Sequence, residues 1–129
     1  MYASQGVYSI LIVDDSQAVR ESLGWLLRAE RNMKVVGEAV NGLDAIQLAI
    51  QLRPDIVILD IELPDADGFS VTRQLKSLLH PPLVVILSIH GDNVSRRQGA
   101  LAGCDAFVEK SISWPKFLAV LREVLKFSK

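Results

Sequence analysis

The stretch Asp55-Ile56-Val57-Ile58-Leu59-Asp60-Ile61-Glu62-Leu63-Pro64 decides the fold of this 129-residue chain. Ile56 to Leu59 are aliphatic without a polar alternation. Such a run reads as a strand buried on both faces, the kind found in parallel sheets covered by helices. It ends on Asp60. The same design recurs along the chain. Ile10-Leu11-Ile12-Val13 runs into Asp14-Asp15, Leu83-Val84-Val85-Ile86-Leu87 into Ser88, and Ala106-Phe107-Val108 through Glu109 into Lys110. In an open parallel sheet the carboxyl ends of the strands line one crevice, and ligands bind there. Three aspartates, a hydroxyl and an ammonium are therefore expected to converge on one spot, able to hold a divalent cation and an anion together.

Between these runs the pattern is helical. Strands are predicted at Tyr8–Asp14, Met33–Ala39, Ile56–Leu59, Leu83–Leu87 and Asp105–Val108. After a Ser16 cap, Val19, Leu23, Leu26 and Leu27 share one helical face. Asn41-Gly42 signals a turn, and Ala45, Ile46, Ala49 and Ile50 form the next stripe, closed by Pro54. Phe69, Leu75, Leu78 and Leu79 mark a third helix that stops before Pro81-Pro82. Gly91 to Ala102 gives a fourth, the weakest because of Gly99 and few large apolar residues, and ended by Gly103. The last runs from about Trp114 to Phe127, with Phe117, Leu118, Leu121, Val124 and Leu125 facing inward. Strict alternation with short connections implies right-handed crossovers and helices on both faces. The expected fold is α/β, a flavodoxin-like (βα)5 doubly wound sandwich with a parallel sheet in the order 2-1-3-4-5. Residues 1–129 are expected to form one domain, with a core from about 7 to 127.

Composition narrows the function classes. Half of the residues are hydrophobic, and 14 basic against 15 acidic side chains leave a net charge of −1. That balance implies no nucleic-acid surface. Met1 to Ser9 lack the basic cluster and apolar run of a signal peptide. No apolar run approaches the ~20 residues of a membrane span. A single cysteine, Cys104, rules out an internal disulfide and makes a reducing cytoplasm the expected location. Cys104 reads as a small buried residue rather than a redox centre.

Asp14, Asp15 and Asp60 carry the main chemical signal. Three carboxylates within a few ångströms repel one another unless a cation is present. A hard divalent ion such as Mg2+, or Mn2+ in its place, takes oxygen ligands and keeps waters and phosphate oxygens as partners. Either of Asp14 and Asp15 alone would read as a cap on a helix or turn; the trio at strand ends does not. Lys110 alone would read as a surface lysine, but opposite an acidic cluster it reads as a charge partner for an anion. Ser88 is singled out only by its place at a strand end.

These residues resemble the receiver domain of two-component response regulators over roughly Val7 to Lys126. Asp14-Asp15 matches the acidic pair, and Asp60 the phosphoacceptor, followed by Glu62, Pro64 and Asp67-Gly68 in that family's loop pattern. Ser88 matches the Ser/Thr position, Lys110 the lysine and Phe107 the switch aromatic. The resemblance implies Mg2+ held by Asp15, Asp60 and the carbonyl of Glu62, with Asp14 acting through a water. It implies a phosphoryl group taken from a sensor histidine kinase or a histidine phosphotransfer protein onto Asp60. It also implies a response in the fourth helix, fifth strand and fifth helix, with self-catalysed phosphorylation and dephosphorylation in place of turnover on an external substrate. A phosphorylation-linked homodimer belongs to the same expectation. Three positions depart from the commonest pattern. Ile89 follows Ser88 where a small residue is frequent, and would crowd the approach to Asp60. His90 sits where side chains influence phosphoryl lifetime. Ser111 stands where proline, often after a cis bond, is frequent.

A flavodoxin-like nucleotide-binding enzyme is the rival reading. It would want a glycine-rich loop after the first strand, and Asp14-Asp15-Ser16 would instead repel a phosphate. A phosphatase would space two aspartates by one residue. A degenerate receiver, acting as a protein-interaction module, would not need the intact aspartates and Lys110. The segments Asp60–Leu79 and Val84–Lys110 look most like receivers of the LuxR/NarL type, which implies transcription regulation through a DNA-binding unit. Such a unit would need chain beyond Lys129, so the expectation is either a stand-alone receiver or a piece of a longer regulator, and DNA binding by these residues alone is not expected.

Overall fold

The computed structural model describes residues 6–126. Met1 to Gln5, part of the opening segment searched for a signal, and Phe127, assigned to the last helix, lie outside the described residues. Strands β1 (Tyr8–Val13), β2 (Met33–Ala39), β3 (Ile56–Leu59), β4 (Leu83–Ser88) and β5 (Ala106–Glu109) alternate with helices α1 (Gln17–Arg28), α2 (Gly42–Leu52), α3 (Gly68–Lys76), α4 (Asn93–Ala102) and α5 (Trp114–Lys126). The strands form one parallel sheet in the order β2-β1-β3-β4-β5. This is the doubly wound order expected from the sequence.

Alternate residues of the central strands divide the core in two. Ile10, Ile12, Ile56, Ile58, Val85 and Leu87 face Leu23 and Leu27 of α1 and Phe117, Leu121 and Leu125 of α5. Leu11, Val13, Val57, Leu59, Val84 and Ile86 face Ala45 and Ala49 of α2 and Val71 and Leu75 of α3. The unbroken aliphatic runs follow, because both strand faces lie against helices.

Local chemistry sets the helix ends. Ser16, Asn41, Asp67 and Asp92 each accept an amide of the first turn of α1, α2, α3 and α4. Asp65 reaches across to the amides of Gly42 and Leu43, which hold its carboxyl below the usual range. α2 ends with Arg53 in the left-handed region (φ 48°), directly before Pro54, whose ring disfavours the helical conformation there. Gly103, also left-handed, ends α4.

Several expected details are corrected. β1 stops at Val13, β4 runs on to Ser88, and β5 is shifted one residue to Ala106–Glu109. α4 begins at Asn93 rather than Gly91, because Asp92 is its cap. Leu79 does not face the core. α3 ends at Lys76, with Ser77 as its cap, and Leu79 is 88% exposed beyond it. Ile50 is exposed as well: the inner face of α2 is centred on Ala45 and Ala49, with Ile46 and Leu48 partly buried beside them. Cys104 is half-buried beside Phe107, and burial pushes its thiol up. Among the described residues no helix is long and apolar enough to cross a membrane. None of their peptide bonds is cis, so Lys110–Ser111 is trans.

Candidate functional site

The strand register builds the site. Val13 pairs with Leu59 across β1 and β3, so the residues that follow them, Asp14 and Asp60, leave the sheet side by side. Ser88 pairs with Glu109 across β4 and β5, and Lys110 follows at once, its amide donating to the Ser88 carbonyl at 2.7 Å. The Asp60 amide is tied to the Val13 carbonyl at 2.9 Å. Both carboxylates are thereby rooted at the ends of paired central strands.

Carboxylate oxygens of Asp14, Asp15 and Asp60 all lie within 4.8 Å of one another. Asp14 and Asp60 are buried and Asp15 is exposed, so the cluster opens to solvent on the Asp15 side. The Lys110 ammonium bridges the two buried members, 2.9 Å from Asp14 Oδ2 and 3.4 Å from Asp60 Oδ2. Asp14 also accepts the Ser16 amide at 2.9 Å. The turn-capping reading and the cluster reading of that residue are thus both realised, one oxygen to each. Asp60 Oδ1 accepts the Glu62 amide at 3.3 Å.

The electrostatics follow from this crowding. Burial and the charge of Asp14 raise the Asp60 carboxyl above the usual carboxylate range, against the opposing pull of Lys110 and the Glu62 amide. Burial disfavours the Lys110 ammonium. The hydrogen bond to Asp14 and the two carboxylate charges outweigh it, so its net shift is upward. Lys110 is held charged between two acids that want a cation. An all-oxygen donor set this compact, with one solvent-facing member, fits Mg2+ or Mn2+, which bind few carboxylates and retain water.

The rim is made by the loops. Gly68 closes the β3–α3 loop onto Asp60. Its amide donates to the Ile61 carbonyl, and a methyl group built there would lie 2.5 Å from Ile61 Cα and 2.7 Å from the Asp60 carbonyl oxygen. Only glycine permits that approach. Thr72 Oγ1 secures the turn by donating to the Gly68 carbonyl at 2.7 Å. On the opposite rim the Ser88 hydroxyl accepts the His90 amide at 3.0 Å, and His90 Nε2 lies 2.9 Å from Glu62 Oε2. This pair spans the mouth between the loops after β3 and β4. Ile89 is 65% exposed, outside the core. Phe107 lies half-buried against α4.

Residues 10–122 match the response regulator receiver domain. The chain belongs to that family. This receiver is 34% identical over 122 residues to the polar-differentiation response regulator DivK of Brucella anthropi, covering 91% of this chain and 95% of that one. It is 37% identical over 97 residues, 75% of this chain, to protein-glutamate methylesterase/protein-glutamine glutaminase 2 of Methanospirillum hungatei, but spans only 27% of that protein's length. A solved two-component response regulator of the LuxR family from Aurantimonas superposes with a TM-score of 0.89 at 26% identity, covering 94% of this chain and 86% of that one.

Asp14, Asp15, Asp60, Glu62, Ser88 and Lys110 lie at or beside the C-terminal edge of this receiver's sheet, Phe107 lies within β5, and Cys104 precedes that strand at the other edge. Two contributors were missed. Arg20 of α1 donates to the Asp14 carbonyl at 2.8 Å and pairs with Glu38 of β2 at 3.0 Å, so it steadies the main chain that carries the acidic pair. The His90–Glu62 pair was invisible because its members stand 28 positions apart in separate loops. The only sequence signal for Arg20 was a charge on the turn of helix that follows Asp14-Asp15.

Proposed function

We propose that this receiver accepts a phosphoryl group on Asp60 from the phosphohistidine of a sensor histidine kinase or histidine phosphotransfer protein, in a reaction that requires Mg2+ or Mn2+. The observation that carries the proposal is the convergence of the buried Asp60 carboxylate, the Asp14-Asp15 pair and the Lys110 ammonium at one strand-end crevice. A carboxylate oxygen of Asp60 attacks phosphorus. The P–N bond breaks, and its electron pair returns to the imidazole nitrogen. Asp15, Asp60 and the Glu62 carbonyl would hold the metal directly, and Asp14 through a water. When bound, the cation supplies positive charge that stabilises the transferring oxygens. Lys110 supplies a second positive charge from the protein itself. The Ser88 hydroxyl donates to a new phosphoryl oxygen, and Phe107 turns into the space its movement frees. The altered face comprises α4, β5 and α5.

The likeness to a LuxR-family regulator supports an output in transcription, through a DNA-binding unit or partner, with a phosphorylation-linked homodimer as one form of that output. A cytoplasmic location fits such a role. The receiver turns over no external substrate; it catalyses gain and loss of its own phosphoryl group. Incubation with acetyl phosphate and Mg2+, followed by intact mass measurement, tests the assignment. One phosphoryl group is expected on wild type and none on Asp60→Asn, and labelling that survives this substitution contradicts the proposal.

A further inference from the structure

Arg96, in the second turn of α4, makes more directed contacts than any role on the helix surface requires. Nε donates to the Gly91 carbonyl at 3.0 Å, Nη1 to the Phe107 carbonyl at 3.2 Å and Nη2 to Glu109 Oε1 at 3.2 Å. The guanidinium carbon also stands 5.2 Å from the centre of the Phe107 ring, within cation–π range. From below, Gly99 admits the same ring so closely that a methyl group there would lie 2.9 Å from Phe107 Cδ2. Gly91 is pressed as tightly against Glu109, where a methyl group would overlap the carboxyl carbon. One planar group therefore joins the loop after β4, the backbone and carboxylate of β5, and the face of Phe107.

We propose that Arg96 is a positioning residue for the phosphoryl switch, a clasp that holds the Ser88 loop and Phe107 together in their unphosphorylated arrangement. The proposal rests on the function proposed above. In the unphosphorylated protein the Ser88 hydroxyl accepts the His90 amide. Swinging that hydroxyl toward Asp60 breaks this bond and shifts the loop of residues 89–91. The Gly91 carbonyl is part of that loop and is tied to Arg96 Nε. A guanidinium is rigid and planar, so it cannot follow Gly91 with one nitrogen and stay on β5 with the other two. Loop movement therefore lifts Nη1 and Nη2 from Phe107 and Glu109 and uncovers the ring. The clasp opposes phosphorylation by favouring the resting packing, and its release couples the loop to Phe107.

The direction of the effect separates this role from a merely structural one, because removing the clasp should speed the reaction. Label the 129-residue chain with sub-saturating acetyl phosphate at fixed Mg2+ and pH, and follow intact mass. Arg96→Ala should label Asp60 about three- to tenfold faster than wild type, the factor expected for losing a partly exposed cation–π and hydrogen-bonded clasp from the resting state. Glu109→Gln, which weakens one arm, should fall between them. Arg97→Ala removes the same charge from the neighbouring exposed position and should match wild type. In two-dimensional NMR without phosphodonor, the Gly91 and Phe107 amides of Arg96→Ala should move toward the positions of phosphorylated wild type. Labelling of Arg96→Ala at or below the wild-type rate, an equal gain in Arg97→Ala, or amide shifts unrelated to the phosphorylated positions would overturn the clasp. Wild type that takes no label at Asp60 would instead defeat the functional reading on which the clasp depends.

Discussion

Replacing Lys110 with methionine keeps the stem of the side chain and deletes the ammonium that bridges Asp14 and Asp60. At separations of 2.9 and 3.4 Å and an effective dielectric of about 20, the two attractions amount to roughly 6 and 5 kcal/mol before desolvation. Desolvating the three groups cancels most of that. Removing one partner from a buried pair still leaves uncompensated charge, a loss of about 3–5 kcal/mol. The Lys110 side chain is 20% exposed, and Asp60 can escape by taking up a proton, so the lower end applies. The expected loss for Lys110→Met is about 3 kcal/mol at pH 7.5 in EDTA, or about 10–15 °C in Tm for a chain of this size.

The pH dependence has a definite sign. Burial and Asp14 already raise the folded Asp60 carboxyl above its unfolded range. For such a group, stability is fully present below the unfolded pKa and falls as pH rises through the folded one. Without Lys110 the folded value rises further, so the mutant loses stability over a wider range. The gap between mutant and wild type should therefore shrink toward pH 4.5 and be full at pH 7.5. Millimolar Mg2+ should close most of it at pH 7.5, because the cation replaces the missing charge and binds only the folded cluster. Urea unfolding at both pH values, with and without Mg2+, measures all of this. A loss under about 1 kcal/mol at pH 7.5, or one equally large at pH 4.5, would refute Lys110 as the counter-charge of the cluster.

Mg2+ should raise the melting temperature of wild type at pH 7.5 and leave Asp15→Ala nearly unmoved; an equal shift in both would remove Asp15 from the metal site. Arg20→Ala should weaken Mg2+ binding about tenfold in a calorimetric titration, because the Asp14 carbonyl loses its anchor. Charge alone would tighten binding, so a gain in affinity would show that Arg20 does not position the pair. Ile89→Ala should speed both acetyl phosphate labelling and hydrolysis of the aspartyl phosphate, since donor and water share one approach; a rise in only one rate would contradict crowding. The 129-residue chain should not bind duplex DNA at physiological salt, and a specific complex in a fluorescence anisotropy titration would refute that.

The sheet was legible because it obeys one rule throughout. Aliphatic runs such as Ile56–Leu59 can be satisfied only between two layers of helix, and alternation with helical stripes leaves few topologies. The candidate site was legible for a related reason: Asp14 and Asp60 follow directly after buried runs, Ser88 ends one and Lys110 follows β5, so finding the strands located all four together. Errors fell where a residue's environment depends on distant partners. Leu79 and Ile50 carry the right spacing for an inner face, yet α3 stops at Lys76 and the inner face of α2 is centred on Ala45 and Ala49. Apolar character states a preference for burial, and the space available decides whether it is met.

Helix α4 shows the limit most clearly. Gly99 and the scarcity of large apolar residues marked it as the weakest helix, judged by propensity alone. In the structure that scarcity serves the contact: only a glycine lets the helix approach the Phe107 ring so closely, and only a short apolar face leaves Arg96 free to reach over the ring to β5. Propensity measures what a helix does in isolation, whereas α4 is shaped to lie closely on the Phe107 ring. A helix held by small residues and one guanidinium buries little apolar surface, so it can be displaced at modest cost. The same residues that weaken it as an isolated helix thus suit it to the moving role proposed for this face. Gly99→Ala is the opposing case to Arg96→Ala: alanine raises helix propensity, but its methyl group would press on Phe107 from below, so urea unfolding should show a less stable unphosphorylated receiver, and stability equal to or above wild type would refute the close contact.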